Sequence, residues 1–278
     1  MRIRFAGLAL ALCAALVTAL LPSGASTAAA QPAEAAAAQP VPDGPAKAWL
    51  LADLDTGRVL ASRDPYGRYA PASTIKVLLA MVALDRLHPD SFARANTTHD
   101  DVECSCAGIK PGQAYTTRQL VEAILMVSGN DAANMLGDML GGQQAAVAAM
   151  NRKAALVGAR ATKASSPSGL DGPGWESSTT PHDLAVIMRA ALKYPLIAHI
   201  MRSPSAQFPG KTISNQNELL TRYPGSLGGK TGFTNLARKT YVGAAQRGNR
   251  RLVVVQMYGT GDLYGHAIRL LDWGFAQP

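Results

Sequence analysis

The sequence predicts a mixed α/β fold of the α+β kind: an antiparallel sheet assembled from both chain ends and flanked by helices, with a mostly helical subdomain inserted between. Three observations predict it. Near the start, the apolar run Trp49-Leu50-Leu51, the turn residues Asp55-Thr56-Gly57 and then Val59-Leu60 read as a strand hairpin. Near the end, Ser226 to Thr231, Thr240 to Ala245 and Leu252 to Tyr258 read as strands, the last two joined by Gly248-Asn249. Between these regions the apolar spacing is helical.

At the N-terminus, Arg2 and Arg4 precede an apolar run from Phe5 to Leu21 and small residues at Ala28 to Ala30. That order is the pattern of a cleaved secretory signal peptide. An uncleaved membrane anchor is the alternative, because the run approaches the length that spans a bilayer. Cys13 does not sit in a lipoprotein-type cleavage site, so no lipid is expected. Residues 1–30 are assigned to the signal, and 31–45, rich in Ala, Pro and Gln, to a flexible linker. Residues 46–278 form the folded domain, with a sheet subdomain over about 46–84 and 206–278 and a helical one over about 85–205. That length suffices for one sizeable core.

The whole chain carries a formal charge of +8, and losing Arg2 and Arg4 with the signal leaves +6. Such a balance suits work among anionic polymers, while the absence of a Lys/Arg cluster argues against nucleic acid as a partner. Cys104 and Cys106 lie in a polar segment and could close a small, strained disulfide in an oxidising compartment, or remain two idle thiols. A zinc site with His99 would have only three ligands and no second cluster, so neither a metal nor a cofactor is expected. The five histidines, His88, His99, His182, His199 and His266, lack metal or triad spacing and read as surface or helix-end residues.

A helix is expected to start at Ser73. Its Ile75, Val77, Leu78, Leu79, Met81, Val82 and Leu84 are apolar nearly all round, which places it in the centre of the molecule. Thr117 is the expected cap of a helix carrying Leu120, Val121, Ile124 and Leu125, and Asp131 the cap of the next, with Ala132, Met135 and Leu136. Thr180-Pro181 marks another helix start, and a last helix is expected from about Leu263 to Phe275.

Chemistry enters with Ser73-Thr74-Ile75-Lys76, which sets a hydroxyl and an amine three residues apart on one helix face. A serine becomes nucleophilic when a neighbouring base takes its proton, and a lysine serves as that base only when its pKa is lowered. A lysine between Ile75 and Val77 in a helix without a polar face needs a partner or a purpose. Two further elements are Ser128-Gly129-Asn130, between two helical patterns, and Lys230-Thr231-Gly232, on a strand preceded by Gly228-Gly229. Gly232 would let a substrate backbone approach that strand closely.

In this order and at these separations the three elements resemble the S-x-x-K, S-x-N and K-T-G motifs of the penicillin-recognising serine enzymes. The segments Tyr69-Ala70-Pro71-Ala72, Gly108 to Tyr115, Ser128 to Ala133, Ser168-Gly169-Leu170-Asp171, Lys230 to Asn235 and Leu271 to Phe275 are similar to the serine-type D-alanyl-D-alanine carboxypeptidases, or low-molecular-mass penicillin-binding proteins. The resemblance runs from about Ala48 to Phe275. It implies a β-lactamase/transpeptidase-like fold and the release of terminal D-alanine from peptidoglycan stem peptides ending in D-Ala-D-Ala. It also implies an exported enzyme on the wall side of the cytoplasmic membrane, acylated and inhibited by β-lactams.

Carried over by motif, Ser73 is the acylated nucleophile, Lys76 its general base, and Ser128 the relay to the departing amine. Lys230 keeps the cluster electrostatically poised, Asn130 bonds the substrate, Thr231 contacts its terminal carboxylate, and the backbone amides of Ser73 and Phe233 form the oxyanion hole. Two departures from the family pattern stand out. Asn215-Gln216-Asn217 occupies the stretch where several relatives carry a basic carboxylate anchor, so Thr231 and Lys230 suffice or a cation such as Arg222 contributes. The chain ends at Pro278 without the further module or anchor frequent in the family, and no stable membrane anchor is expected once the signal is removed.

Alternatives are a β-lactamase, a DD-endopeptidase, or a non-enzymatic wall-binding or β-lactam-sensing domain. Asp171 and Glu176 matter to the first, because a class A β-lactamase needs a glutamate for deacylation; Glu176, in a Gly/Pro/Ser loop, reads as solvated.

Overall fold

Turn chemistry at Asp53 sets the first hairpin. Its carboxylate accepts from the amides of Asp55 (3.1 Å) and Thr56 (2.8 Å), folding β1 (Ala46–Asp53) back on β2 (Val59–Arg63) in the computed structural model, which describes residues 39–278. The signal peptide assigned to residues 1–30 and most of the linker assigned to 31–45 lie outside the described residues. A 3-10 turn over Ala72–Ile75 leads into α1 (Lys76–Arg86). The short β3 (Phe92–Arg94), α2 (Thr97–Asp100) and β4 (Ala114–Thr116) follow. Then come the helices α3 (Thr117–Met126), α4 (Asn130–Met139), α5 (Gln143–Val157), α6 (Pro181–Ala191) and α7 (Pro195–Arg202). A small hairpin, β5 (Ser205–Phe208) and β6 (Lys211–Ser214), and one helical turn, α8 (Leu219–Arg222), bring the chain back to the sheet. There β7 (Ser226–Thr234), β8 (Arg238–Arg247) and β9 (Arg250–Gly259) precede the closing helix α9 (Leu263–Ala276).

The main sheet has the order β2-β1-β9-β8-β7, with every neighbouring pair antiparallel. Strands from the two chain ends therefore meet at the β1–β9 pair, and β7 is left at one edge. Both faces of the centre are buried: Leu50 and Leu51 point to opposite faces, yet each is 0% exposed. Leu50, Val253 and Val255 join the apolar cluster that contains α1, α3 and α6, whereas Trp49, Leu51 and Val254 join the one that contains α9. Two-sided burial removes the polar/apolar alternation, which is why these strands read as continuous apolar runs. The expected class holds: a sheet from both chain ends with a mostly helical segment between. So does the central position of α1, in which Val77 to Ala83 are all buried.

Four details differ from expectation. The α-helix starts at Lys76, because Ala72 at φ +48° and the tight turn after it, held by Thr74 Oγ1 donating to Pro71 O (2.7 Å), break helical continuity at Ser73. Thr116, extended at the end of β4, caps α3 in place of Thr117; its hydroxyl accepts from Gln119 N (3.2 Å) while Gln119 Oε1 accepts from Thr116 N (2.9 Å). Gly129 occupies the cap of α4, so Asp131 falls in the first turn and serves a different purpose described below. His266 is a core residue of α9, its Nδ1 2.8 Å from Gln256 Oε1, because that face of the helix packs on β9; burial lowers its pKa.

Candidate active site

The turn that displaces Ser73 from the helix also aims it. Ser73 sits in the 3-10 segment, Lys76 opens α1, and the three-residue separation brings their side chains together. Lys76 Nζ lies 2.7 Å from each of Ser73 Oγ, Asn130 Oδ1 and the Ser168 carbonyl oxygen. Three contacts match the three donors of an ammonium, and equally the two donors and one lone pair of a neutral amine. Burial works against the ammonium. The side chain is 0% exposed, and burial first, then the charge of Lys230, hold its pKa well below the ordinary 10.5, with the Asp131 carboxylate acting the other way. In the neutral form the amine donates to Asn130 and Ser168, and its lone pair faces the Ser73 hydroxyl.

Ser128 lies between α3 and α4 at φ +61°, a left-handed conformation that costs a non-glycine residue about 1 kcal/mol or more. Its Oγ accepts a hydrogen bond from Lys230 Nζ (2.9 Å), which also donates to the carbonyl of Thr231 (2.7 Å). Burial pushes the Lys230 pKa down to about 7.

Ser73, Ser128, Asn130, Thr231, Gly232 and Phe233 line one cavity of about 740 Å³, and Lys76 and Lys230 bond to its two serines from below. The eight residues singled out from the sequence are therefore brought to one place from three distant segments. The contact made by Gly232 differs from the expected one. A Cβ there would stand 2.8 Å from Ser73 N and 2.5 Å from Thr240 Oγ1, so the glycine is needed for β7 to close on the turn that carries Ser73. Asn130, expected to bond substrate, spends its oxygen on Lys76 and one Nδ2 hydrogen on the carbonyl of Glu103 (2.6 Å). One N–H remains to face the cavity.

Several participants were not singled out from the sequence. The Ser168 carbonyl is a backbone atom, and its only signal was membership of the Ser168-Gly169-Leu170-Asp171 segment. Asp131 is 1% exposed and accepts from the amides of Ala107 (2.8 Å), Gly108 (2.7 Å) and Ile109 (3.0 Å), tying the loop after the cysteines to α4. Cys104 and Cys106 are joined by a disulfide, their Cα atoms 4.9 Å apart. His99 is engaged elsewhere, with Nε2 2.9 Å from Asp138 Oδ2, and no group of three metal-ligating side chains occurs among the described residues.

Gln216 lines the cavity, as does Arg222, but Arg222 is paired with Glu218 (2.9 Å) and lies 3.8 Å from Asp262, so much of its charge is answered locally. Lys239, on β8 opposite Phe233, also reaches the cavity and donates to the Gly261 carbonyl (3.1 Å). Glu176 is exposed and does not line the cavity; Asp171 accepts from Thr234 Oγ1 (2.7 Å) and pins its loop to the end of β7.

Comparison with known proteins bears on the chain as a whole. A family profile described as D-alanyl-D-alanine carboxypeptidase matches residues 33–260. The chain is 57% identical over 246 residues to the D-alanyl-D-alanine carboxypeptidase DacB2 of Mycobacterium tuberculosis, covering 85% of this chain and 84% of that protein. A crystal structure of a D-alanyl-D-alanine carboxypeptidase from Mycobacterium tuberculosis superposes with a TM-score of 0.85 at 55% identity, over 87% of this chain and 96% of that one. Penicillin-binding protein D2 of Listeria monocytogenes in its ampicillin-bound form superposes with a TM-score of 0.77 at 26% identity, over 85% and 100%.

Proposed function

This chain belongs to the D-alanyl-D-alanine carboxypeptidase family, and we propose that it releases the terminal D-alanine of peptidoglycan stem peptides through an acyl-serine intermediate on Ser73. The observation that carries the assignment of roles is the 2.7 Å contact between Ser73 Oγ and a wholly buried Lys76 amine. In the acylation step Ser73 Oγ attacks the carbonyl carbon of the penultimate D-alanine while its proton passes to Lys76 Nζ. The tetrahedral oxygen faces the amides of Ser73 and Phe233, each such donor supplying about 3 kcal/mol of barrier lowering. As the C–N bond breaks, the Ser128 hydroxyl hands a proton to the departing amine, and Lys230, bonded to Ser128, replenishes it. Before deacylation the proton that Lys76 took from Ser73 makes good the one lost by Lys230, so the Lys76 amine is neutral again. Water then attacks the ester, its proton passes to Lys76 and on to Ser73 Oγ as the ester C–O bond breaks, and the shortened peptide leaves.

Thr231 contacts the terminal carboxylate, and Lys230 and Lys239 supply positive charge where Gln216 offers none. The stem peptide lies extended along β7, whose edge forms the cavity wall. β-Lactams mimic the terminal dipeptide and acylate Ser73, a reading supported by the ampicillin-bound Listeria relative. The enzyme is exported and works on the wall side of the cytoplasmic membrane.

The assignment is tested by comparing D-alanine release from an acyl-D-Ala-D-Ala peptide with nitrocefin turnover. We expect steady D-alanine release and a slow, stoichiometric reaction with nitrocefin. Rapid multiple turnover of nitrocefin with no D-alanine would make the protein a β-lactamase, an outcome that the exposed position of Glu176 argues against.

The two buried lysines also fix a pH dependence. Acylation falls on the acid side as Lys76 takes up a proton and its lone pair is lost. It falls again on the alkaline side as Lys230, pushed down to about 7 by burial, loses its charge. The second-order rate of acylation by benzylpenicillin, followed from about pH 5 to about pH 10, should be bell-shaped. In Lys230→Arg the alkaline limb should move upward, because a guanidinium does not titrate in that range. Superimposable alkaline limbs in the two proteins would remove Lys230 from this role.

A further inference from the structure

The wall of the cavity beside Asn130 is made by Glu103, Cys104 and Ser105, and it does more than shape the cavity. Asn130 is gripped by this segment at two points. Its backbone N–H donates to the Ser105 carbonyl (2.6 Å), and its side-chain Nδ2 donates to the Glu103 carbonyl (2.6 Å). The two acceptors flank Cys104, and the Cys104–Cys106 disulfide closes the chain around Ser105. Just beyond, the Asp131 carboxylate takes the amides of Ala107, Gly108 and Ile109. The far side of the Asn130 amide is its Oδ1, which accepts from Lys76 Nζ (2.7 Å). A continuous chain of contacts thus runs from the disulfide through two carbonyls and one asparagine to the amine that faces Ser73.

We propose that the Cys104–Cys106 disulfide is a positioning element for the reaction: it fixes the Glu103 and Ser105 carbonyls, these fix Asn130, and Asn130 holds Lys76 in line with Ser73. The inference rests on the reading of Ser73 and Lys76 given above. Its consequence is that activity depends on the redox state of two residues that touch neither reacting atom. Cys104 is exposed and Cys106 half-buried, so a small dithiol can reach the bond. In that exchange the dithiol gives two electrons and two protons, the S–S bond breaks to two thiols, and the dithiol becomes a cyclic disulfide. The freed loop keeps the Asp131 contacts on one side but loses closure around Ser105.

The test uses the folded mature protein, oxidised and after treatment with dithiothreitol, with the thiols counted by alkylation and intact mass. Reduction should lower kcat for D-alanine release about tenfold while KM stays within about twofold, because the amine is misplaced and the cavity is kept. The Cys104→Ser/Cys106→Ser protein should match the reduced wild type and be indifferent to dithiothreitol. In an Asn130→Ala background, reduction should have no further effect on the residual rate, the non-additivity expected of groups acting through one another. Hydrogen exchange at the Asn130 amide should quicken on reduction. Unchanged kcat in protein carrying two counted thiols would overturn the proposal. So would a rise in KM alone, which would make the disulfide a wall contact for substrate, or an equal loss in the Asn130→Ala background. Oxidised protein that neither labels with penicillin nor releases D-alanine would overturn the underlying reading of the site instead.

Discussion

A Ser73→Ala protein should form no covalent adduct with a fluorescent penicillin, and its D-alanine release should drop by about four orders of magnitude or more. The size of the effect follows from the chemistry: without the hydroxyl there is no acyl intermediate, and neither the oxyanion amides nor Lys76 can substitute for a bond that never forms. Stability should barely move. The hydroxyl is only partly buried, and its contacts are Lys76 Nζ and a long 3.4 Å approach to the Ser168 carbonyl, so its loss costs about 1 kcal/mol or less. Labelling followed by intact mass, beside a thermal melt, checks both halves. A stoichiometric penicillin adduct on the alanine protein would mean that another residue is the nucleophile.

Replacing Lys76 by methionine should have the next largest effect, lowering acylation about a thousandfold or more while leaving Ser73 in place. The same variant carries a second signature. Lys76 has a folded pKa far below its ordinary 10.5, so between those two values the unfolded chain binds a proton that the fold does not. Wild-type stability must therefore rise with pH in that window, and the part due to Lys76 disappears in the variant. As pH rises through that window the stability difference between the two proteins should change by about 1.4 kcal/mol per pH unit in favour of wild type. Urea unfolding at several pH values reads the slope directly. Parallel curves would show that Lys76 is charged in the fold and unfit to accept a proton. Lys76→Arg should behave differently again, because a guanidinium cannot shed its charge; leaving it buried beside Lys230 should cost about 3 to 5 kcal/mol.

Both experiments probe features that differed in how plainly the sequence announced them. The strands of the main sheet were legible because burial on both faces turns Trp49-Leu50-Leu51 and the β9 segment into unbroken apolar runs. The Ser73–Lys76 pair was legible because a lysine inside an apolar helix is tolerated only when its amine is neutral or held by polar partners. What the sequence concealed are contacts made by atoms common to all residues, or reaching far along the chain. The Ser168 carbonyl that holds Lys76 belongs to the backbone, and Asp131 reaches amides 22 to 24 residues earlier. Capping propensity therefore misplaced Asp131 at a helix start, and its carboxylate went where three orphaned amides needed an acceptor. Ser128 offered no sign of its left-handed backbone. His266 was misjudged because isolated histidines lack a periodic signal, and only packing against β9 shows that its ring is inside.

The position of β7 at the margin of the sheet has a consequence for how the molecule behaves in a crowd. A free strand margin that welcomes a peptide also invites the strand of another protein molecule, the usual route to aggregation. Here the opening is short. The ladder shifts register between Ser226 and Gly228, and Gly228 lies so near α7 that a Cβ would come within 2.5 Å of Met201 Cβ. What stays accessible is the stretch around Thr231 to Phe233, room enough for the end of one peptide and too little for a lasting intermolecular ladder. A register shift and a neighbouring helix thus limit the length of open strand that this margin offers to anything that would pair with it.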